Sequence, residues 1–128
     1  MKDLSSFQPA GYTLASLAVA LGGLLNGYDT GCIGAVTSMP QWTALMDDPS
    51  PGVIGITISS IMLAGAMPSF FAGQLSDKYG RLAVIEAGAI GFLVGNVLQA
   101  SALSLGQFIA GRIVTGMGEG LFQGLMSV

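Results

Sequence analysis

Mostly apolar, uncharged stretches follow one another along the chain, each close to the roughly 20 residues that a helix needs to cross the hydrocarbon core of a bilayer. Four spans fit. The first covers about residues 12–39 and the second about 53–75, between the turn-rich Asp47-Asp48-Pro49-Ser50-Pro51-Gly52 and a short polar loop at 76–81. From Leu82 onward the chain is too long for one crossing, so a tight turn at 99–104 divides it into spans at about 82–99 and 105–128. The pattern predicts an all-α integral membrane protein with about four transmembrane helices, residues 12–128, preceded by a tail at 1–11. The apolar run from 11 to 39 is too long for the core of a secretory signal and contains Asp29, so it reads as a first span.

Orientation follows from the few basic residues, because short cytoplasmic loops retain Lys and Arg. Lys78 and Arg81 lie between the second and third spans, whereas the loop between the first and second holds Trp42, Asp47 and Asp48 but no cation. Both termini are therefore expected on the cytoplasmic side.

Composition agrees with a membrane environment. Only 9% of the residues are charged against 52% hydrophobic, too little charge to cover a soluble domain. The net charge of −3, with no cluster of Lys or Arg, argues against nucleic acid as a partner. With one cysteine, Cys32, and no histidine, neither an internal disulfide nor a structural zinc site is expected, and nothing calls for another metal or a cofactor. No nucleophile, base or phosphate loop stands at useful spacing, so an enzyme is not expected.

Glycines recur at four-residue spacing on three spans: Gly23, Gly27 and Gly31; Gly91 and Gly95; Gly116, Gly120 and Gly124. Such rows let membrane helices approach closely, although glycine is also common in membrane spans generally. Pro68 lies inside the second span and removes a backbone hydrogen bond, which predicts a bend near 64–68.

Ionisable side chains within a span are candidates for function by default. Asp29 and Arg112 lie at compatible depths, Arg112 about 10 Å below the outer end of its span at 1.5 Å per residue. A carboxylate facing a guanidinium in a watery cavity would change its proton affinity with access and occupancy; the same pair read statically would hold two helices together. Glu119 lies deeper, where it would pair with Arg81, be protonated or reach the interface, and a structural role is expected of it. Glu86, one turn into the third span, is expected to reach the cytoplasmic boundary.

The sharpest motif runs from Gly73 to Arg81, in the pattern G-x-L-x-D-x-x-G-R. Gly73 would permit close helix contact, Asp77 would accept hydrogen bonds from the start of a neighbouring helix, Gly80 would permit a turn and Arg81 would pair with a carboxylate. This stretch resembles the cytoplasmic loop motif of the major facilitator superfamily. Gly27-Tyr28-Asp29-Thr30-Gly31 and Gly111-Arg112 followed by Gly116, Gly118 and Gly120 resemble first-helix and fourth-helix motifs of its sugar porter branch. The resemblance runs from about residue 26 to 124. There are departures: Leu82 stands where a second basic residue is usual, Asn26 where an aromatic residue is common, and Glu119 at a variable position between motif glycines.

The resemblance implies part of the N-terminal six-helix half of a twelve-helix transporter, carrying sugar and proton between its halves. It further implies proton coupling at Asp29 and Arg112, sugar contacts at Asn26 and Tyr28, and a conformational role for Gly73, Asp77, Gly80 and Arg81. A third of the helices cannot enclose a substrate, so this chain is expected to need the remaining helices, as a fragment of a plasma-membrane sugar/proton symporter. Two other readings stand beside it: a complete four-helix proton-coupled exporter acting as a dimer, and a non-transporting fragment that docks on relatives through its glycine rows.

Overall fold

The computed structural model describes residues 11–126. Its elements are α1 (Gly11–Thr37), α2 (Pro40–Leu45), α3 (Pro51–Tyr79), α4 (Arg81–Ala100) and α5 (Leu105–Met126), with no strand among the described residues. The four long helices fall where the apolar stretches place them. Of the expected tail at 1–11, residues 1–10 lie outside the described residues, as do the last two residues of the fourth span, while Gly11 already opens α1.

Three boundaries differ from the sequence reading, each for a local reason. The polar stretch expected as a loop at 76–81 is helical through Tyr79, because no helix breaker precedes Gly80. Gly80 alone makes the turn at φ 90°, a region that L side chains avoid, and its N–H closes α3 on the Ser76 carbonyl at 2.9 Å. Gln99, expected in the turn, belongs to the last turn of α4. The loop after α1 contains an unexpected short helix, α2, started by Pro40 in the first turn, where a missing N–H does no harm. Trp42 of α2 is buried edge-on against Phe108 of α5, ring centroids 5.6 Å apart, in a cluster with Ile33, Met46 and Ala102. Pro68 stands inside α3 without ending it.

Helix α5 is the centre of the packing. It buries nine residues, five of them Gly or Thr on the sides facing α3 and α4 among a core that also takes Arg112, Phe108 and Phe122. A Cβ on Gly116 would strike the Ile61 carbonyl of α3, and one on Gly120 would strike the Gly65 carbonyl. On the other side Gly118 lies against Gly88 and Phe92 of α4, where a Cβ on Gly88 would come within 2.7 Å of the Gly118 carbonyl. Backbones this close gain dispersion contacts that lipid cannot replace. The row Gly116, Gly120 and Gly124 is thus a packing surface against α3, while Gly91 and Gly95 serve α4 against α5. Gly23, Gly27 and Gly31 have open space where a Cβ would stand, so the first row packs against nothing within the described residues. Buried hydroxyls are satisfied within their own helices, Thr57 donating to the Val53 carbonyl at 2.8 Å and Thr115 to that of Gly111 at 2.9 Å.

The outer surface is apolar. Leu63, Phe70, Leu82 and Leu93 are exposed, as lipid-facing side chains should be. Helices α3 and α4 are long and apolar enough to cross a membrane. Helices α1, 27 residues, and α5, 22 residues, have the length but carry Asn26 and Asp29, and Arg112 and Glu119, within it. Helix α1 is held loosely: its buried residues are Gly22, Ile33 and Thr37, while the leucines between 14 and 25 are exposed.

Candidate functional site

Arg112 is set into the middle of the bundle by the glycine packing around it, since Gly111 lets α5 close on Gln99 of α4 and Gly116 lets it close on α3. Its side chain is 1% exposed. The guanidinium donates from Nη1 to Gln99 Oε1 at 3.3 Å and from Nη2 to the Ile58 carbonyl of α3 at 3.4 Å. Gln99 is itself fixed, its Nε2 donating to Thr115 Oγ1 at 2.7 Å. A buried cation is thereby anchored on α3, α4 and α5 at once.

Asp29 of α1 meets this cation from the remaining side. Its Oδ2 lies 3.9 Å from Arg112 Nη1, with the carboxylate side chain 15% exposed. That separation makes an ion pair without a hydrogen bond, and among the described residues neither Asp29 Oδ2 nor Arg112 Nε has a hydrogen-bond partner. The anion is therefore held by charge alone, whereas the cation is held by directed bonds. The structure brings Asp29 and Arg112 together as their depths suggest. Gln99 and the Ile58 carbonyl were not singled out in the sequence; an amide near the end of an otherwise apolar span was the available signal for Gln99.

The other candidate residues are placed differently. Asn26, half-buried, lies one turn from Asp29 on α1 and accepts from Thr30 Oγ1 at 3.3 Å. Tyr28 is 71% exposed and stands away from the pair. Glu119 is also half-buried, but its Oε1 accepts from Gln123 Nε2 at 3.1 Å rather than pairing with Arg81.

In the loop motif, Gly80 makes the turn. Arg81 bonds not a carboxylate but the Leu125 carbonyl in the last turn of α5, at 3.1 Å. A backbone carbonyl carries partial negative charge, so it accepts from a guanidinium as a carboxylate would. Asp77 is exposed and its carboxylate accepts no hydrogen bond from another described residue, and Gly73 has open space where a Cβ would stand. The close contact expected at Gly73 and the helix-start contact expected at Asp77 are thus absent among the described residues, because both positions face outward at the end of α3. Those residues also contain no cluster of side chains suited to a metal ion.

Long apolar-surfaced helices, joined by short turns around a buried arginine and carboxylate, define a polytopic helical membrane protein. The chain belongs to the sugar (and other) transporter family, whose model matches residues 15–128, and so to the sugar porter branch of the major facilitator superfamily. It is similar to sugar transport protein 7 of Arabidopsis thaliana, 35% identical over 124 residues, and to the arabinose-proton symporter of Bacillus subtilis (strain 168), 37% identical over 109 residues. Each alignment covers 84% of this chain, but 24% and 23% of the respective relatives. The high glucose sensor RGT2 of Saccharomyces cerevisiae is 35% identical over 118 residues, with 88% of this chain and 16% of the relative covered. The chain spans about a quarter or less of the length of these curated relatives. No solved structure matches it significantly. The family consists of membrane transporters rather than enzymes.

Proposed function

We propose that the chain supplies the first four membrane spans of a sugar/proton symporter of the plasma membrane, with Asp29 and Arg112 as its coupling pair. The loosely held carboxylate carries this reading. Arginine stays charged under all physiological conditions, so the state of the pair depends on Asp29 alone. A proton on Asp29 cancels the attraction across 3.9 Å, and α1 is otherwise tied to the bundle at few places. Proton binding would therefore change how firmly α1 is held, the kind of differential contact that links a ligand to a conformational equilibrium.

Helices α1 and α5 are the first and fourth spans in this reading, because their ionisable groups turn inward: Arg112 is buried and Asp29 and Glu119 are half-buried. Residues 12–39, 53–75, 82–99 and 105–128 then cross the bilayer. Asn26 lies one turn from the coupling pair and is the better placed sugar contact; Tyr28, exposed, would reach sugar or the remaining helices. Gly80 and Arg81 tie the α3–α4 junction to the end of α5, while Gly73 and Asp77 stay free to meet helices beyond these four during the conformational change.

The test replaces the matching segment of the Bacillus subtilis arabinose-proton symporter with residues 15–128 of this chain. The chimera is expected to accumulate arabinose when a proton gradient is imposed. A chimera that inserts normally at parental levels yet moves no sugar in either direction would rule the reading out. The isolated 128-residue chain in proteoliposomes is expected to accumulate none, since these helices cannot enclose a substrate by themselves; saturable proton-driven uptake by the purified chain would contradict the dependence on further helices.

Topology is checked independently, in a Cys32→Ser background. Ser50→Cys, between α2 and α3, is expected to react with an impermeant thiol reagent added outside intact cells, and Ser76→Cys only after permeabilisation. Reaction of Ser76→Cys from outside would invert the orientation.

A further inference from the structure

Apart from the ion pair, a concavity with polar groups in its wall lies between α1, α3 and α5. It has a volume of about 420 Å³, and its walls include Asn26 and Thr30 of α1, Ser69 of α3, and Glu119 and Gln123 of α5. That volume falls in the range of small-molecule sites, about 300–1,000 Å³. Glu119 follows Arg112 by seven residues on α5, two turns along the same face, and Asn26 precedes Asp29 by one turn on α1. The antiparallel helices thus carry two tiers of polar groups on one wall, the ion pair and, toward the C-terminal end of α5, the Asn26 and Glu119 tier.

The two tiers differ in charge balance. Arg112 is committed to Asp29, Gln99 and Ile58, and the cavity lining contains no Lys or Arg. Glu119 instead has an amide partner, Gln123 bonded at 3.1 Å, and Asn26 lines the same cavity. A carboxylate accepts about four hydrogen bonds, so capacity remains after this one.

We infer that this cavity is a subsite for the hydroxyl groups of a neutral sugar, with Glu119 as its charged acceptor and the residue that turns acidic sugars away. The inference rests on the sugar transport reading and deepens it. Sugar O–H groups donate to the carboxylate in short, charge-assisted bonds, while the amides of Asn26 and Gln123 and the hydroxyls of Thr30 and Ser69 supply both donors and acceptors. A sugar acid would bring a second negative charge against Glu119 with no cation on the lining to offset it, so discrimination comes from repulsion as well as from fit.

Ligand-observed saturation-transfer NMR on the full 128-residue chain in lipid nanodiscs tests this, with D-glucose and D-glucuronate as probes of one skeleton that differ in charge. Glucose is expected to give saturable transfer, and glucuronate to bind about ten-fold more weakly or worse. Glu119→Gln should weaken glucose about ten-fold, the effect of losing a charged hydrogen-bond acceptor, and should close the gap between the two probes. Glu119→Asp, which keeps the charge but shortens the side chain, should weaken glucose and still reject glucuronate. Glu86→Gln, on the exposed side of α4, should change neither. Glucose binding that is equal in the wild type and Glu119→Gln, or glucuronate bound as well as glucose, overturns the inference. Absence of glucose transfer to the wild-type chain overturns it too. Uptake by the chimera reports separately: a transporting chimera with no Glu119 effect sinks this subsite alone, whereas a chimera that moves no sugar sinks the transport reading.

Discussion

Asp29→Asn in the transporting chimera should abolish accumulation of arabinose against its gradient while leaving exchange of sugar across the membrane at least partly intact. Asparagine keeps the shape of the side chain and fixes it in a neutral state, so the switch proposed for the ion pair would be held in one position. Accumulation under an imposed pH gradient is expected to fall about ten-fold or more, equivalent to about 1.4 kcal/mol or more of lost coupling. Arg112→Ala should act differently. It removes a cation anchored on three helices and leaves Gln99 Oε1 and the Asp29 carboxylate without it, so loss of folded protein is expected along with loss of coupling; breaking a buried pair from one side is worth about 3–5 kcal/mol. A static pair would behave otherwise: either single change would lower the amount of folded protein, and the charge-swapped double variant would restore transport with its pH dependence intact. Full pH-driven accumulation by Asp29→Asn at normal expression would remove the coupling role and leave a facilitator as the better description.

Gly120→Leu is expected to prevent the chain from folding, and Gly27→Leu to leave the folded chain unchanged. A Cβ on Gly120 has no space, because the Gly65 carbonyl and Cα already occupy it, and backbone against backbone cannot be relieved by a rotamer change. Overpacking a close contact costs about 1–3 kcal/mol where side chains can adjust, and more is expected here. Gly27 has open space around it. Thermal unfolding and size-exclusion profiles in detergent should separate the two variants cleanly. In the chimera the outcome for Gly27 should change: if the bare row of α1 lies against the remaining helices, Gly27→Leu reduces transport there while remaining silent in the isolated chain. A stable, monodisperse Gly120→Leu chain would contradict the packing of α5 on α3.

The positions of the four long helices were legible because each needs a long apolar stretch and the interruptions are few. The turn at Gly80 was legible because the chain reverses there and only glycine readily accepts φ 90°. The pairing of Asp29 with Arg112 could be reached by counting residues along two antiparallel spans, since depth in a membrane is nearly linear in sequence. By contrast, α2 was missed: six residues between spans have no periodicity to read, and the helix is held by the burial of Trp42 against Phe108.

The sequence by itself determined that this is a helical membrane chain, where its helices lie, and which ionisable groups are placed deep within them. Only the tertiary structure decided what those groups touch. Three rows of glycine look alike in the sequence, yet the rows of α4 and α5 are in close contact and the row of α1 is bare, because contact depends on how each helix is rotated toward its neighbours. Arg112 is anchored by Gln99 and the Ile58 carbonyl, and Arg81 by the Leu125 carbonyl, where a carboxylate was expected. Every residue carries a carbonyl, so its choice as a partner leaves no mark in the sequence; it is made when packing brings a carbonyl within reach of a cation.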